Sequence, residues 1–276
     1  MTWKRLGTVS PTELSNARLQ LHWAAQLVSA PGVSLLSPEE DYSHTNLVWD
    51  PGLGVLSGHD VGSVPLRAAL VFEGLGLAVL DSERERSSMR LAGHTVQQGL
   101  SWLARELACE DAALALPVHD MPSHPVGEGG VFSDAGAQAR TELAAWFANA
   151  FRLIRETVAD EASASPVRCW PHHFDVASLI TLDGGVGAEE ARSIGVGFSP
   201  GDGSYDQPYF YVTPWPYPDP THLPSLAGGM DWHTSGWTGA VLTAERLLSV
   251  PPGEQQRTAR TALGSAVAAS RELLGN

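Results

Sequence analysis

Lysine is almost missing from this 276-residue chain: Lys4 stands alone, and arginine supplies the rest of the seventeen basic residues. Several chemistries need an amine inside the folded body. A Walker-type phosphate loop, a pyridoxal Schiff base, a kinase phosphate-pairing lysine and a lysine general base are all excluded on that ground. Cysteine is nearly as scarce. Cys109 and Cys169 are too few for a disulfide framework or a thiolate zinc site, and both are expected as reduced, buried thiols. No stretch approaches the ~18 uninterrupted apolar residues of a membrane span, and Met1-Thr-Trp-Lys-Arg-Leu-Gly7 lacks the apolar run of a secretory signal. A cytoplasmic protein without a membrane partner is the expectation.

Positive charge is short as well. Seventeen basic against thirty-one acidic residues leave a net charge of −14 at pH 7. Such a field repels a polyanion, so nucleic acid is not an expected partner. What remains is an ordinary globular composition, 43% hydrophobic and 17% charged. At this length folding hides roughly 73% of the extended chain's surface, enough for a sizeable core. We expect a single compact domain over 1–276, with similar halves at 1–115 and 134–276 joined by a Pro/Gly-rich crossing.

Local signals give the expected order of elements. Ser10-Pro11-Thr12-Glu13 has a serine cap, proline at the first helical position and glutamate at the third, so a helix starts there. Leu14, Leu21, Ala24, Ala25 and Val28 form its apolar face, and Pro31 ends it. Leu47 to Trp49, Val55 to Ser57, Leu66 to Phe72 and Leu75 to Leu80 read as strands. Thr95 with Gln98 caps a second helix, and a long helix with a wide apolar stripe begins at Ser133-Asp134. Strand pattern returns from Val167 to Thr181 and from Ile194 to Val212. Thr243 to Val250 and Thr258 to Leu274 close the chain as helices. The fold class is therefore α+β, with a mixed or mainly antiparallel sheet built from two helix-hairpins-helix halves and flanked by long helices. Trp49 and Trp170 are the corresponding positions of the proposed duplication.

The densest polar cluster is Trp170-Pro-His-His-Phe-Asp175. Read as one strand, it places His173 and Asp175 on the same face, with Trp170, His172 and Phe174 on the other. His173 and Asp175 are the candidate catalytic residues and also the candidate metal ligands. Two side chains are only part of a coordination shell, and His119, His124, His222, His233 or Asp206 would have to supply a third. The sequence identifies no cofactor, and a divalent metal is the candidate these donors offer. The bland alternative is a structural hydrogen-bonded pair.

A second constellation runs from Ile194 to Tyr217. Gly197-Phe-Ser-Pro-Gly201 has the letters of a serine-hydrolase elbow, but Pro200 lacks the N–H its oxyanion hole needs and no helix follows. Asp202, Ser204 and Asp206 open like a calcium loop, yet Gln207 stands where the turn glycine belongs and Thr213 where the bidentate glutamate belongs. A hairpin loop is the better reading. Beyond it, Tyr209, Phe210, Tyr211, Trp215 and Tyr217 form an aromatic ledge that can stack on a sugar or heterocycle. His172, Asp206, Tyr209, Tyr211 and Trp215 are the candidate ligand-binding residues, with Trp232-His233 and Trp237 as a loop that could cover them.

The segment Ser165-Pro-Val-Arg-Cys-Trp-Pro-His-His-Phe-Asp175, followed by Ile194-Gly-Val-Gly-Phe-Ser-Pro-Gly201 and Tyr209-Phe-Tyr211, resembles a bacterial family of proteins of unknown function. The shared pattern is Ser-Pro-Val-x-x-aromatic-x-x-x-Phe-Asp, and it covers mainly residues 165 to 217. The resemblance implies a common fold and a common place for a site, and supplies no reaction. Three readings follow: binding of a polar small molecule near 170–175 and 199–217, metal-assisted hydrolysis through His173 and Asp175, or a non-catalytic, self-associating interaction protein whose homo-oligomer forms through exposed aromatics.

Overall fold

The computed structural model describes residues 2–82, 84–109, 113–185 and 190–275. It is an α+β protein with two antiparallel sheets, of five and six strands. The chain divides into two compact units: Thr8–Ala148 with Arg168–Phe174, and Met1–Gly7 with Asn149–Val167 and Asp175–Asn276.

In the first unit, the Ser10 signal makes a single 3-10 turn over Pro11–Glu13, closed by a capping box, before α1 (Ser15–Leu35) begins. The helix does not stop at Pro31 as the sequence suggested. Proline forfeits one intrahelical bond, but tertiary contacts hold the following turn in place. The Ser29 hydroxyl donates to the Thr45 carbonyl at 2.8 Å, and Gly32 admits the His44 carbonyl so closely that a Cβ there would lie 2.2 Å from it. Leu21, Ala24, Ala25 and Val28 are buried as their spacing predicted.

β1 (Val48–Asp50), β2 (Val55–Ser57), β3 (Leu66–Val71), β4 (Gly76–Asp81) and β5 (Arg84–Arg90) pair antiparallel in chain order. β5 escaped the sequence reading because Arg-Glu-Arg-Ser-Ser-Met-Arg has no apolar alternation. As the edge strand it needs none, and most of it is exposed. α2 (Val96–Glu106) starts where Thr95 and Gln98 indicated, with the reciprocal capping box in place. α1 packs on β3 and β4, and α2 on α1. α3 (Ala137–Thr157) starts three residues after Asp134 and contributes its residues through Ala148 to this unit.

An aromatic core joins these elements. The Trp49 ring meets Phe72 edge-on at 5.6 Å, Phe72 meets Phe147 at 5.0 Å, and Phe147 meets Phe174 at 4.9 Å. Phe174 belongs to the turn that follows β6 (Arg168–Trp170), whose Cys169 is bridged to Leu47 by two backbone hydrogen bonds. Its backbone is left-handed, with φ 57°, a conformation that costs about 1–2 kcal/mol for a residue with a side chain. Burial of the ring offsets that cost. The Phe174 and His173 N–H groups both donate to the Trp170 carbonyl, and the Pro171 carbonyl accepts from His22 Nε2 at 2.8 Å and Gln26 Nε2 at 2.7 Å. The His22 ring stacks on Phe174 at 5.3 Å.

In the second unit, β7 (Asp175–Thr181), β8 (Ser193–Ser199), β9 (Tyr209–Trp215), β10 (Asp231–His233) and β11 (Gly239–Thr243) run in the order β10-β11-β9-β8-β7. Trp232 and His233, read from sequence as loop, lie on β10. α4 (Ala244–Leu248) follows, and α5 (Gln255–Leu273) packs on β8, β9 and β11. The sheet face carrying Val196, Phe198, Phe210, Val212 and Leu242 is fully buried.

Burial holds the His22 imidazole neutral, its pKa pushed down to about 4. The unfolded chain takes up this proton near pH 6.5 and the folded chain only near 4, so stability falls as pH drops across that window. The loss at this one site is on the order of 3 kcal/mol. Urea unfolding at pH 7, 5.5 and 4 should show a steeper acid loss for the wild type than for His22→Gln; equal pH slopes would refute the assignment.

Candidate functional site

Strand register sorts the second sheet into two faces. Ala177, Gly197, Tyr211, Val241 and Asp231 form one row across it. Residues two or four positions away share their face: Asp175 on β7, Ser199 on β8, Tyr209, Thr213 and Trp215 on β9, and His233 on β10. This is the face opposite the buried apolar one, and it carries polar and aromatic groups.

Tyr211 lies flat across the neighbouring strand. A Cβ on Gly197 would stand 2.1 Å from its Cζ, so only glycine lets the ring pass over β8. The phenol then donates to Asp175 Oδ2 at 2.5 Å. Beside it, the Tyr209 phenol donates to Asp202 Oδ2, also at 2.5 Å. The other oxygen of Asp202 accepts the Ser204 and Tyr205 N–H groups, which shapes the loop between β8 and β9.

That loop brings in Tyr205, whose hydroxyl meets His233 Nδ1 at 2.9 Å. His233 Nε2 faces the Ser235 carbonyl at 2.8 Å, which fixes the proton on Nε2 and makes Tyr205 the donor. The His233 ring stacks on Trp237 at 4.3 Å. Tyr211, Tyr209, Tyr205, His233 and Trp237 thus form a continuous series of rings, with successive centroids 6.1, 5.0, 5.5 and 4.3 Å apart.

Electrostatics fixes the protonation states. Burial, reinforced by Asp202, pushes the Tyr209 phenol far above its ordinary range. Burial and Asp175 do the same to Tyr211. Tyr205 is raised by burial and by Asp202 and Asp231. All three phenols are neutral donors at physiological pH, poor bases and poor nucleophiles. Ser199 is buried and accepts the Gly201 N–H at 3.1 Å, as a structural rather than a nucleophilic serine would.

The other expected site residues are dispersed. Asp206 is exposed in the loop between β8 and β9. Trp215 is 44% exposed at the end of β9, edge-on to Tyr217. The single strand expected over 170–175 does not exist. β6 ends at Trp170, Pro171 to Phe174 form the turn, and the left-handed Phe174 breaks the alternation that was to align His173 with Asp175. The two residues belong to different units.

His172 and His173 instead cluster with His119, at ring separations of 4.2 Å between His172 and His173 and 5.4 Å between His119 and His172. Burial and the two neighbouring histidines lower the His172 pKa to about 4. Among the described residues no group of three or more His, Cys, Asp or Glu side chains is placed to hold a metal ion. His124 caps the 3-10 turn at Pro125–Glu128, and His222 sits exposed beside Asp219.

Sequence reasoning did not assign Asp202 and Tyr205 to the site, and it took His233 as a candidate third metal ligand and as part of a covering loop. The Gly195-x-Gly197 spacing on a strand was the available signal, since it marks where side chains cross a neighbouring strand; Thr213 crosses at Gly195 as Tyr211 does at Gly197.

No family model matches the chain, and no curated protein or solved structure is significantly similar to it.

Gly197→Ala should force the Tyr211 ring off β8 and break its bond to Asp175. The expected loss is about 1–3 kcal/mol, from an acceptor deprived of its partner. Urea unfolding measures it, and an unchanged midpoint would rule out the crossing as a stabilising contact.

Proposed function

We propose that this chain is a binding protein for a small polar molecule with a flat ring face, held on the polar face of the second sheet. The observation that carries the reading is the pair of phenol–carboxylate contacts, Tyr211 to Asp175 and Tyr209 to Asp202, at one end of the five-ring series. The half-buried Tyr205, His233 and Trp237 rings offer stacking area, and the exposed Asp202 offers a directed hydrogen bond at their rim. The exposed carboxylate is an acceptor, so a ligand rich in hydroxyl or N–H donors fits, such as a sugar or a heterocycle. The net charge of −14 disfavours a polyanion. The neutral, strongly bonded phenols support binding rather than chemistry. The proposed site lies on the second unit alone and does not use His172 or His173.

Tryptophan fluorescence and chemical-shift titration of the full chain with hexoses and with neutral heterocycles such as uracil and nicotinamide test this. One class should bind saturably and perturb the Trp237 and Tyr205 signals, and Tyr205→Ala with Asp202→Asn should weaken that binding about tenfold or more. Saturable binding unaffected by both substitutions, or no binding by either class, would overturn the proposal.

A further inference from the structure

The first unit carries a cleft of about 780 Å³ at the β1–β2 end of its sheet. Its floor follows from register. Val48 pairs with Ser57 and Ser57 with Ala69, so Val48, Asp50, Ser57 and Arg67 side chains leave the sheet on one side. Trp49 points the other way, onto Phe72. The segment after β2 adds His59 and Asp60 as a wall, and the turn after β1 adds the half-exposed Leu53 as an apolar rim. The volume falls within the usual ~300–1,000 Å³ of small-molecule sites.

The charges in the cleft do not balance. Among the described residues Arg67 is its one cation, and its two terminal nitrogens already donate to Asp60, at 3.2 Å, and to the Ser82 carbonyl. Asp50 uses Oδ1 to accept the Gly52 and Leu53 N–H groups, at 2.8 and 3.0 Å, and carries no ion pair among the described residues. His59 presents Nε2 to two acceptors, the Ser43 carbonyl and Asn46 Oδ1, so Nε2 bears the proton and Nδ1 is left with a lone pair. The uncompensated charge is thus a carboxylate, and the imidazole adds a second acceptor.

We propose that this cleft is a binding site for a small primary amine, its ammonium group held by Asp50 and its further N–H or O–H donors directed at His59 Nδ1 and Asp60. An anion would meet two carboxylates and a guanidinium that is already engaged, whereas an ammonium meets an unpaired carboxylate in a wall whose spare valences are mainly acceptors. The protein's overall negative field steers the same class of ligand inward. The site stands apart from the reading of the second sheet, since every group it uses belongs to the first unit.

The probes are putrescine and ethanolamine, with inorganic phosphate and acetate as anionic counterparts, titrated into the isotopically labelled full chain at moderate salt. The amines should saturate and move the Gly52, Leu53 and Gly58 amide signals together. Asp50→Asn keeps the side-chain oxygen that caps the turn, so the fold is retained while amine affinity falls about tenfold. Arg67→Gln frees Asp60 and should raise amine affinity. Three results would each overturn the proposal: amine shifts scattered over the acidic surface, amine affinity unchanged in Asp50→Asn, or saturation by phosphate or acetate that Arg67→Gln abolishes.

Discussion

Two donors from one helix, the His22 imidazole and the Gln26 amide, converge on the Pro171 carbonyl, and the turn they hold decides where the chain's densest polar motif faces. With that carbonyl fixed, Phe174 enters the aromatic core in a left-handed conformation that neither glycine nor asparagine would need help to adopt. The ring's burial against Phe72 and Phe147 outweighs the backbone cost, and strand geometry resumes only at Asp175. His172 and His173 are therefore turn residues grouped with His119, while the carboxylate two positions later opens a strand in the other unit.

A different economy governs the polar face of the second sheet. Glycine on the strand crossed, tyrosine on the strand beyond it and a carboxylate on the far side make one device, in which removing bulk at one position creates a hydrogen bond two strands away. The neighbouring Tyr209–Asp202 contact reaches the same chemistry by another route, through a loop whose turn is shaped by the same aspartate. Both arrangements keep the phenols protonated, so the face is a set of fixed hydrogen-bonding dipoles suited to recognition. The cleft of the first unit differs in kind, because its polar wall is left with a charge that nothing among the described residues balances.

Much of the fold was legible where a local rule decides alone. The capping box at Thr95 fixed the start of α2 to the residue, and the Asp50-Pro51-Gly52 turn marked β1 and β2 on either side of it. Of the residues read as one aromatic ledge, Tyr209, Tyr211 and Trp215 share a face of β9, while Phe210 lies on the buried face. Rules of that kind failed where distant packing overrules them. Pro31 sits within α1 because residues 43–45 hold the next turn, β5 pairs although its sequence is charged, and the turn at Phe174 exists because the core pays for it. The site was half visible for the same reason. Asp175 and its phenolic partner are 36 residues apart, and Tyr205 and His233 are 28 apart, so no window of sequence contains both members of either contact.

The charged composition of β5 has one more effect. An edge strand offers a row of open backbone donors and acceptors to any extended segment that drifts alongside, including the same strand of another molecule. On β5 that row is flanked by Arg84, Arg86 and Arg90, so two copies brought together in register would set like charges against each other. The first sheet ends at five strands with its own guard against fibrous polymerisation, supplied by the residues that hid the strand from a hydrophobicity pattern.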